Sequence, residues 1–140
     1  MIVFETAVAA DIPVIYAQAK ELIDTYEDIS AIEYEKVLAW VERKITQHIG
    51  EYQCANLDGE KAGFFRLCPD GEIDDLYVLP QFRGKGIGSQ ILHHCIDKSE
   101  KSLYLYAFTG NVRAIAFYQR FGFSVRESVG KTRCIMTRKG

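Results

Sequence analysis

Three glycines at alternate positions, Gly84, Gly86 and Gly88, stand between an apolar run and a segment with apolar residues at helical spacing. The basic residues Arg83 and Lys85 are interleaved with them. Free backbone N–H groups at the start of a helix, together with the helix dipole, favour a bound anion. Because glycine tolerates positive φ and lets the backbone approach a ligand closely, this stretch predicts a phosphate-binding loop.

Three carboxylates open the strand before this loop. Glu72 and Asp74 are two residues apart, so we expect them to share one face of the strand, with Asp75 on the other face. An acidic cluster of this kind can supply a general base. It is equally typical of a solvated strand end, and the sequence leaves both interpretations open.

The composition bounds the class of protein. The 140 residues have a formal net charge of −2, with 48% hydrophobic and 26% charged residues, and they fit one domain over residues 1–140. The chain has no basic excess, which argues against nucleic-acid binding as a main role. No apolar run approaches the roughly 20 residues of a membrane helix, and residues 1–11 lack a signal-peptide pattern. We therefore expect a cytoplasmic protein that binds neither nucleic acid nor membrane.

The cysteines and histidines do not indicate metal chemistry. No two cysteines form a C-x-x-C pair, and the histidines show no metal-ligand spacing. We expect no bound metal, buried or half-buried thiols, and no catalytic histidine. The cysteines are Cys54, Cys68, Cys95 and Cys134, and the histidines are His48, His93 and His94.

The hydrophobic pattern predicts the elements that must position these residues. Their order is β-α-α-β-β-β-α-β-α-β-β, an α/β fold with a mixed sheet, helices on both faces and one parallel crossover. The glycine loop then lies at the carboxyl end of a strand, where open α/β sheets bind ligands. The predicted strands are 2–8, 50–57, 61–68, 72–79, 103–107, 123–129 and 132–137, and the helices start near Asp11, at Ser30, after the glycine loop and at Asn111.

Turn and cap residues indicate where these elements begin and end. Asp58-Gly59 predicts a two-residue hairpin turn, and Pro-Asp-Gly at 69–71 predicts a second tight turn into an antiparallel strand. Ser30 and Glu33 have the spacing of a capping box, which predicts the start of the second helix.

Two motifs together resemble the GNAT superfamily of N-acetyltransferases. The family's acetyl-CoA loop reads Arg or Gln, two residues, Gly, one residue, then Gly or Ala, and the stretch from Arg83 to Gly88 fits it. Leu-Tyr-Val-Leu-Pro at 76–80 resembles the family's fourth strand. The resemblance follows the element order of the whole chain and is specific over residues 72–123. The family pattern N-x-x-A-x-x-F-Y-x-x-x-G-F is matched by Asn111, Ala114, Phe117, Tyr118, Gly122 and Phe123.

The resemblance implies acetyl-CoA as acyl donor and a pose for it. Main-chain groups of Leu76, Tyr77 and Val78 would pair with the pantetheine arm like an added strand. The Val78 N–H would stabilise the tetrahedral oxyanion, and Asn111 would lie near the pantetheine or the acceptor. The pyrophosphate would be held by the backbone amides and charged side chains of the loop. The loop residues are Arg83, Gly84, Lys85, Gly86, Ile87, Gly88 and Ser89.

The resemblance also implies direct transfer to a primary amine in a ternary complex. Tyr118 is expected to protonate the departing thiolate, the alternative being a helix tyrosine with a satisfied hydroxyl. Glu72 is the candidate general base, with Asp74 or a water relay as alternatives. No cysteine matches a nucleophile position of the family, so a covalent acetyl-cysteine is disfavoured.

The acceptor is expected to be a small-molecule amine or a protein amino group. Residues 21–35 carry six carboxylates and no lysine or arginine, which indicates either an acidic rim that attracts a cationic acceptor or a solvated helix face. The last hairpin could pair with a second copy in a homodimer. The alternative function is a non-catalytic acyl-CoA-binding or regulatory module. A dinucleotide enzyme is disfavoured because the spacing G-x-G-x-x-G is not met.

Overall fold

The computed structural model describes residues 1–139, and within them seven strands and four helices follow the predicted order. The predicted α/β class is therefore confirmed. The elements are β1 Ile2–Thr6, α1 Ile12–Tyr26, α2 Tyr34–Gln47, β2 Gln53–Leu57, β3 Glu60–Leu67, β4 Ile73–Val78, α3 Ile87–Lys98, β5 Leu103–Phe108, α4 Val112–Arg120, β6 Ser124–Val129 and β7 Arg133–Arg138.

The strands form two antiparallel sheets instead of one continuous mixed sheet. Within residues 1–139 the first sheet has the order β1-β2-β3-β4 and the second the order β5-β7-β6. A parallel bridge between Glu72 and Tyr104 joins them, and the Tyr104 N–H donates to the Gly71 carbonyl at 3.0 Å. Over the described residues the predicted parallel pairing of β4 and β5 is limited to this bridge, so their facing edges are unpaired beyond it.

Helices cover both faces of the sheets and enclose two apolar cores, because each helix buries a stripe of residues at helical spacing. α3 and α4 cover one core, and α1 and α2 cover the other. The deepest residues of these stripes are Ile15, Ala19 and Ile23 in α1, Leu38, Val41 and Ile45 in α2, and Ile87, Ile91, Leu92 and Cys95 in α3.

None of the helices in residues 1–139 combines the length and apolarity needed to cross a bilayer.

The two tight turns form as predicted. Asp58 and Gly59 both have positive φ, 51° and 87°, as a type I′ hairpin turn requires between β2 and β3. Gly71 also has a positive φ of 98°, and a Cβ there would overlap the Ser102 carbonyl. This turn therefore needs glycine both for its backbone conformation and for the close approach of the two sheets.

The capping box predicted for the second helix is wrong. α2 begins at Tyr34, and Ser30 lies in a 3-10 turn, Ile29–Ala31, that precedes it. Asp28 caps that turn, since its carboxylate accepts from the Ser30 N–H at 3.2 Å and from the Ser30 hydroxyl at 2.6 Å. The backbone of Ile32 is extended, which interrupts the helix before Glu33. β2 likewise starts later than predicted, because Ile49–Glu51 forms another 3-10 turn.

The carboxylates of β4 do not alternate between the two faces as predicted, because the strand contains a β-bulge. Arg66 pairs with Asp75 while Leu67 pairs with Ile73, so Asp74 is an extra residue in the β4 register. Asp74 and Asp75 therefore reach the same partner, and the Lys44 ammonium lies 3.2 and 3.1 Å from their carboxylates. The prediction that Asp75 faces away from Asp74 is wrong because simple alternation does not continue through a bulge.

Candidate active site

The glycine loop leaves a row of backbone donors without partners at the start of α3. Gly84 and Gly86 have positive φ values of 79° and 77°, and α3 begins at Ile87. The first helical hydrogen bond runs from the Gln90 N–H to the Gly86 carbonyl at 3.1 Å. The N–H groups before Gln90 in the helix consequently have no helical acceptor, which is the arrangement that binds anions.

The loop is open on one side and closely packed on the other. A Cβ at Gly84 or Gly86 would have nothing within 4 Å, so the space beside these residues is free. A Cβ at Gly88 would instead lie 3.4 Å from the Phe117 ring and 3.7 Å from Val78. Gly88 is therefore the point where β4, α3 and α4 meet.

Two strand edges face each other next to this loop. The Leu79 N–H donates to the Ala62 carbonyl at 2.8 Å, and successive residues of a strand point their backbone groups in opposite directions. The backbone groups of Leu76 and Val78 thus point away from β3 towards β5, whereas those of Tyr77 point to β3. This leaves the amides predicted at Leu76 and Val78 available for a ligand and keeps the Tyr77 amide within the sheet.

The β5 edge follows the same rule. The Tyr104 N–H points to the first sheet, where it bonds Gly71, and the Thr109 N–H points to the second sheet, where it bonds Thr132 at 2.8 Å. The backbone groups of Tyr106 and Phe108 therefore face β4. The Phe108 carbonyl accepts from the Asn111 N–H at 3.0 Å. The other facing groups of Leu76, Val78 and Tyr106 have no strand partner and border a gap that begins at the Glu72–Tyr104 bridge.

Tyr118 lies half-buried on α4, next to Phe117, whose ring packs at Gly88. Its ring contacts Phe117 and Phe123, with centroids 5.4 and 5.8 Å apart. Burial raises the pKa of the Tyr118 hydroxyl above its usual value, and the negative charges that Cys95 and Asp75 can carry raise it further. The raised pKa keeps this hydroxyl protonated near neutral pH. In residues 1–139 the hydroxyl has no hydrogen-bond partner, so its proton is free to donate.

Glu72 lies at the closed end of the gap, away from Val78. Burial raises the pKa of its carboxyl, and the like charges of Asp74 and Asp70 add to the effect. At the usual rise of a strand, the six residues from Glu72 to Val78 separate their Cα atoms by about 20 Å. The structure therefore does not bring these two predicted site residues together.

Asn111 stands at the start of α4, and the loop cations are exposed to solvent. The Asn111 side-chain oxygen accepts from the Ala114 N–H at 3.3 Å and caps α4, which leaves its amide NH2 free. Arg83 and Lys85 are exposed, and the Lys85 ammonium lies 5.7 Å from the centroid of the Phe82 ring.

A buried ionic network lies under α2, and the motifs in the sequence did not indicate it. The Asp75 carboxylate accepts from the hydroxyls of Tyr52 and Tyr77, the latter at 2.7 Å, and from Lys44 at 3.1 Å. Asp74 also pairs with Arg66 at 2.6 Å. Burial raises the pKa of Asp75, which opposes the ionised form that Lys44 stabilises. The signal in the sequence was Lys44 itself, which stands on the apolar stripe of α2.

The carboxylates of residues 21–35 are largely engaged within the chain. Asp24 pairs with Lys20 at 2.8 Å and accepts from the Tyr34 hydroxyl at 2.5 Å. Glu33 pairs with Lys36 at 3.2 Å, and Glu27 accepts from the Thr132 hydroxyl. These contacts favour the interpretation of a solvated helix face over that of an acidic rim.

The four cysteines are free thiols, and Cys54, Cys95 and Cys134 are buried. Burial raises the pKa of Cys54 to about 11 and that of Cys95 to about 12, so neither forms a reactive thiolate near neutral pH. Cys68, Asp70 and Glu72 have donor atoms within 4.8 Å of one another. Burial also raises the pKa of the Cys68 thiol to about 11, which makes it a weak metal ligand, and we assign no metal to this cluster.

Residues 16–123 match the model of the acetyltransferase (GNAT) family, which is more than three quarters of the chain. An uncharacterised N-acetyltransferase of Archaeoglobus fulgidus is 36% identical over 78 residues, covering 46% of this chain and 53% of that protein.

Two relatives with assigned activities match shorter segments. N-alpha-acetyltransferase 50 of Danio rerio is 38% identical over 61 residues, 40% of this chain and 36% of the relative. The spermine/spermidine N(1)-acetyltransferase of Bacillus subtilis is 36% identical over 56 residues, 36% of this chain and 37% of the relative. The matched segments thus span about half or less of the length of these three relatives.

Solved structures match over all or nearly all of the chain. The PaiA N-acetyltransferase of Thermoplasma acidophilum, in complex with coenzyme A, superposes with a TM-score of 0.72 and 21% identity, covering 100% of this chain and 99% of that one. An N-acetyltransferase of Staphylococcus aureus Mu50 gives a TM-score of 0.74 and 14% identity, covering 96% and 99%. At these identities the likeness shows the fold.

Proposed function

The chain belongs to the acetyltransferase (GNAT) family, and on this premise we propose that it moves an acetyl group from acetyl-CoA to a primary amine. The observation that carries the proposal is the place of the glycine loop. Its unpartnered amides lie at the start of α3, beside the unpaired edge of β4 that the separation of the two sheets leaves open. An anion-binding loop beside such an edge suits a donor made of a diphosphate and an amide-bearing arm.

The residues of the loop and of β4 fit coenzyme A. The amides of residues 84–89 would bind its diphosphate, and the free space beside Gly84 and Gly86 leaves room for it. Leu76 and Val78 would bond the amides of the pantetheine arm, as a strand edge bonds an added strand. Bound there, acetyl-CoA supplies the activated acyl group.

The remaining chemistry belongs to the side chains and amides around the gap. The Val78 N–H would donate to the oxygen that becomes negative as the amine nitrogen bonds to the acyl carbon. Tyr118 would give its proton to the sulfur as the carbon–sulfur bond breaks, and the second proton that leaves the nitrogen would restore the Tyr118 hydroxyl. The high pKa values of the buried cysteines support direct transfer, since none of these thiols is an available nucleophile.

The amine must lose a proton before or during attack, and we assign that proton to Glu72 through water. The raised pKa of Glu72 makes it a stronger base than an ordinary glutamate. Because Glu72 and Val78 are about 20 Å apart along β4, an amine next to Val78 is too far away to contact the Glu72 carboxylate. A water relay would carry the proton from the amine to Glu72. Asp74 is less suited, because Arg66 and Lys44 hold its carboxylate.

The acceptor is proposed as a primary amine of a small molecule or of a protein. The named activities of the relatives include both N-alpha-acetylation and spermine acetylation. The internal pairing of the carboxylates of residues 21–35 gives no preference for a polycation.

The test is calorimetric binding of CoA, followed by thiol release from acetyl-CoA over a panel of amines. Gly84→Ala should weaken CoA binding about tenfold or more, because the new Cβ would occupy the space assigned to the diphosphate. Gly59→Ala is the matched control, since Gly59 also has positive φ and open surroundings but lies in the β2–β3 turn.

The outcomes separate the proposed function from its alternative. Thiol release with some amine, lost together with CoA binding in Gly84→Ala but not in Gly59→Ala, supports the proposal. CoA binding without thiol release for any amine would identify a non-catalytic acyl-CoA-binding module. Absence of CoA binding by the unaltered protein would overturn the proposed function.

A further inference from the structure

Basic residues are concentrated in the last part of the chain. Residues 103–139 contain seven lysines and arginines and one acidic residue, whereas residues 1–80 contain six basic and sixteen acidic residues. Three of the basic side chains have partners there: Arg126 pairs with Glu127 at 3.1 Å, Arg138 donates to the Phe121 carbonyl at 2.8 Å, and Arg133 lies over the Tyr106 ring. The second sheet and α4 thus form a cationic half of the molecule.

The Arg120 guanidinium, like that of Arg133, lies over an aromatic ring. Arg120 is exposed, and no carboxylate of residues 1–139 lies within ion-pair distance of it. Its guanidinium carbon lies 5.6 Å from the centroid of the Phe117 ring, three residues earlier on α4. A cation over an aromatic face is held in place without having its charge neutralised.

The Phe117 ring connects Arg120 to the glycine loop. This ring lies 3.4 Å from the position of a Cβ at Gly88, in the first turn of α3. One turn further on, the rings of Phe121 and His93 are 5.0 Å apart, so α4 runs alongside α3 in the same direction. Long side chains on a helix lean towards its N-terminus. The Arg120 guanidinium is therefore directed to the end of the helix pair that carries the loop.

Resting on the proposed function, we propose that Arg120 binds the 3′-phosphate of coenzyme A and makes the site selective for CoA over dephospho-CoA. Besides its diphosphate, coenzyme A carries a separate phosphate on the 3′-oxygen of its ribose. The loop amides and the cations Arg83 and Lys85 are assigned to the diphosphate. Arg120 has no carboxylate partner among residues 1–139 and lies over the ring that packs at Gly88. A guanidinium binds phosphate oxygens in a planar, bidentate way.

Calorimetric titration of the full chain with CoA and with dephospho-CoA, at one fixed ionic strength, tests this assignment. In Arg120→Met the Kd for CoA should rise about tenfold to a hundredfold, as for loss of a charge-assisted hydrogen bond. The Kd for dephospho-CoA should stay within about twofold of that of the unaltered protein. Arg120→Lys should retain part of the selectivity, because the charge remains.

Arg126→Met is the matched control, since it removes an exposed arginine from β6, and it should leave both Kd values unchanged. Equal weakening of both nucleotides in Arg120→Met would overturn the assignment and place the guanidinium at the diphosphate. Unchanged binding of both would also overturn it. If the unaltered protein bound neither nucleotide, the proposed function would fall together with this inference, whereas the other two results leave the proposed function standing.

Discussion

Tyr118 and Glu72 are the two residues whose surroundings change their proton affinity in ways that suit acetyl transfer. Burial raises the pKa of both groups, which keeps the tyrosine protonated and makes the glutamate more basic. A donor with a high pKa protonates a thiolate only as negative charge develops on it, and a glutamate with a raised pKa accepts a proton more readily. Each environment therefore fits one of the two proton transfers of the proposed reaction.

Replacing Tyr118 with phenylalanine should lower kcat about tenfold to a hundredfold and leave the KM for acetyl-CoA within about threefold, because only the proton donor is lost. Steady-state thiol release at saturating acetyl-CoA measures this change. Tyr16→Phe, on α1, removes a hydroxyl elsewhere and should leave both constants unchanged. An unaltered kcat in Tyr118→Phe would show that this hydroxyl has no part in the chemistry.

Replacing Glu72 with glutamine should lower kcat/KM most in the pH range between the raised pKa of Glu72 and the pKa of the acceptor amine. Above that range the amine loses its proton unaided, and below it the unaltered glutamate is itself protonated. A pH profile of the variant beside Glu60→Gln, an exposed control on β3, measures the effect. Parallel profiles for Glu72→Gln and the unaltered protein would exclude Glu72 as the base.

The same substitution should leave the Tm at pH 7 unchanged or raise it. A carboxyl whose pKa is raised by folding stabilises the native state below its unfolded pKa, and that contribution is lost as the pH rises through the folded value. At pH 7 the ionised Glu72 is therefore disfavoured by burial and by Asp74 and Asp70, and glutamine removes that charge. Lower activity with undiminished stability would distinguish a catalytic from a structural role.

At the scale of elements, the bulge at Asp74 decides what β4 presents on each side. It brings Asp74 and Asp75 to Lys44 of α2 and lets Leu76 and Val78 direct their amides into the gap. Lys44 is 16% exposed, so its ammonium and the two carboxylates form a largely desolvated cluster. The same ion pairs thus link α2 to the bulged part of β4.

Lys44→Met should destabilise the fold by about 3 kcal/mol, because breaking a buried ion pair leaves a carboxylate without compensation. Chemical denaturation measures the change, with Lys20→Met as a control that removes an exposed pair and should have little effect. The loss should shrink as the pH falls, since protonation of Asp75 removes the buried charge, and Asp75→Asn should restore part of the stability. A deficit independent of pH would contradict this account.

At the scale of the whole molecule, two sheets meet at the Glu72–Tyr104 bridge and leave a gap between β4 and β5. The unpaired edges of both strands border this gap, and the glycine loop follows β4 beside it. α4 carries Tyr118 next to Phe117, whose ring packs at Gly88. A ligand bonded to β4 in the gap would add contacts between the sheets that the free protein lacks. Binding should therefore stabilise the two sheets relative to each other.

CoA at a hundredfold excess over its Kd should stabilise the protein by about 2.7 kcal/mol, which corresponds to a rise in Tm of about 5–10 °C. Hydrogen exchange should show added protection in β4 and β5, at the amides of Leu76, Val78, Tyr106 and Phe108. Scanning calorimetry and exchange with and without CoA measure both effects. Protection confined to α1 and α2 would place the ligand elsewhere.

Local sequence patterns alone predicted the order of the elements, two of their boundaries and the glycine loop. The order of strands and helices follows from apolar spacing, and the Asp58-Gly59 turn and the Asn111 cap follow from residues that favour one backbone conformation. The glycine loop with its free N–H groups was predictable for the same reason, since consecutive residues create it. The family assignment needed two motifs that lie close together in the sequence, and the family match confirms it.

Only the tertiary structure decided the features that depend on distant residues. The bulge at Asp74 results from pairing with β3 and contact with Lys44, so alternation along β4 alone predicted the wrong face for Asp75. The start of α2 was missed because Asp28 competes for Ser30. The separation of Glu72 from Val78, the gap between the sheets and the place of Arg120 near the loop arise from packing between elements, which residue type and spacing do not encode.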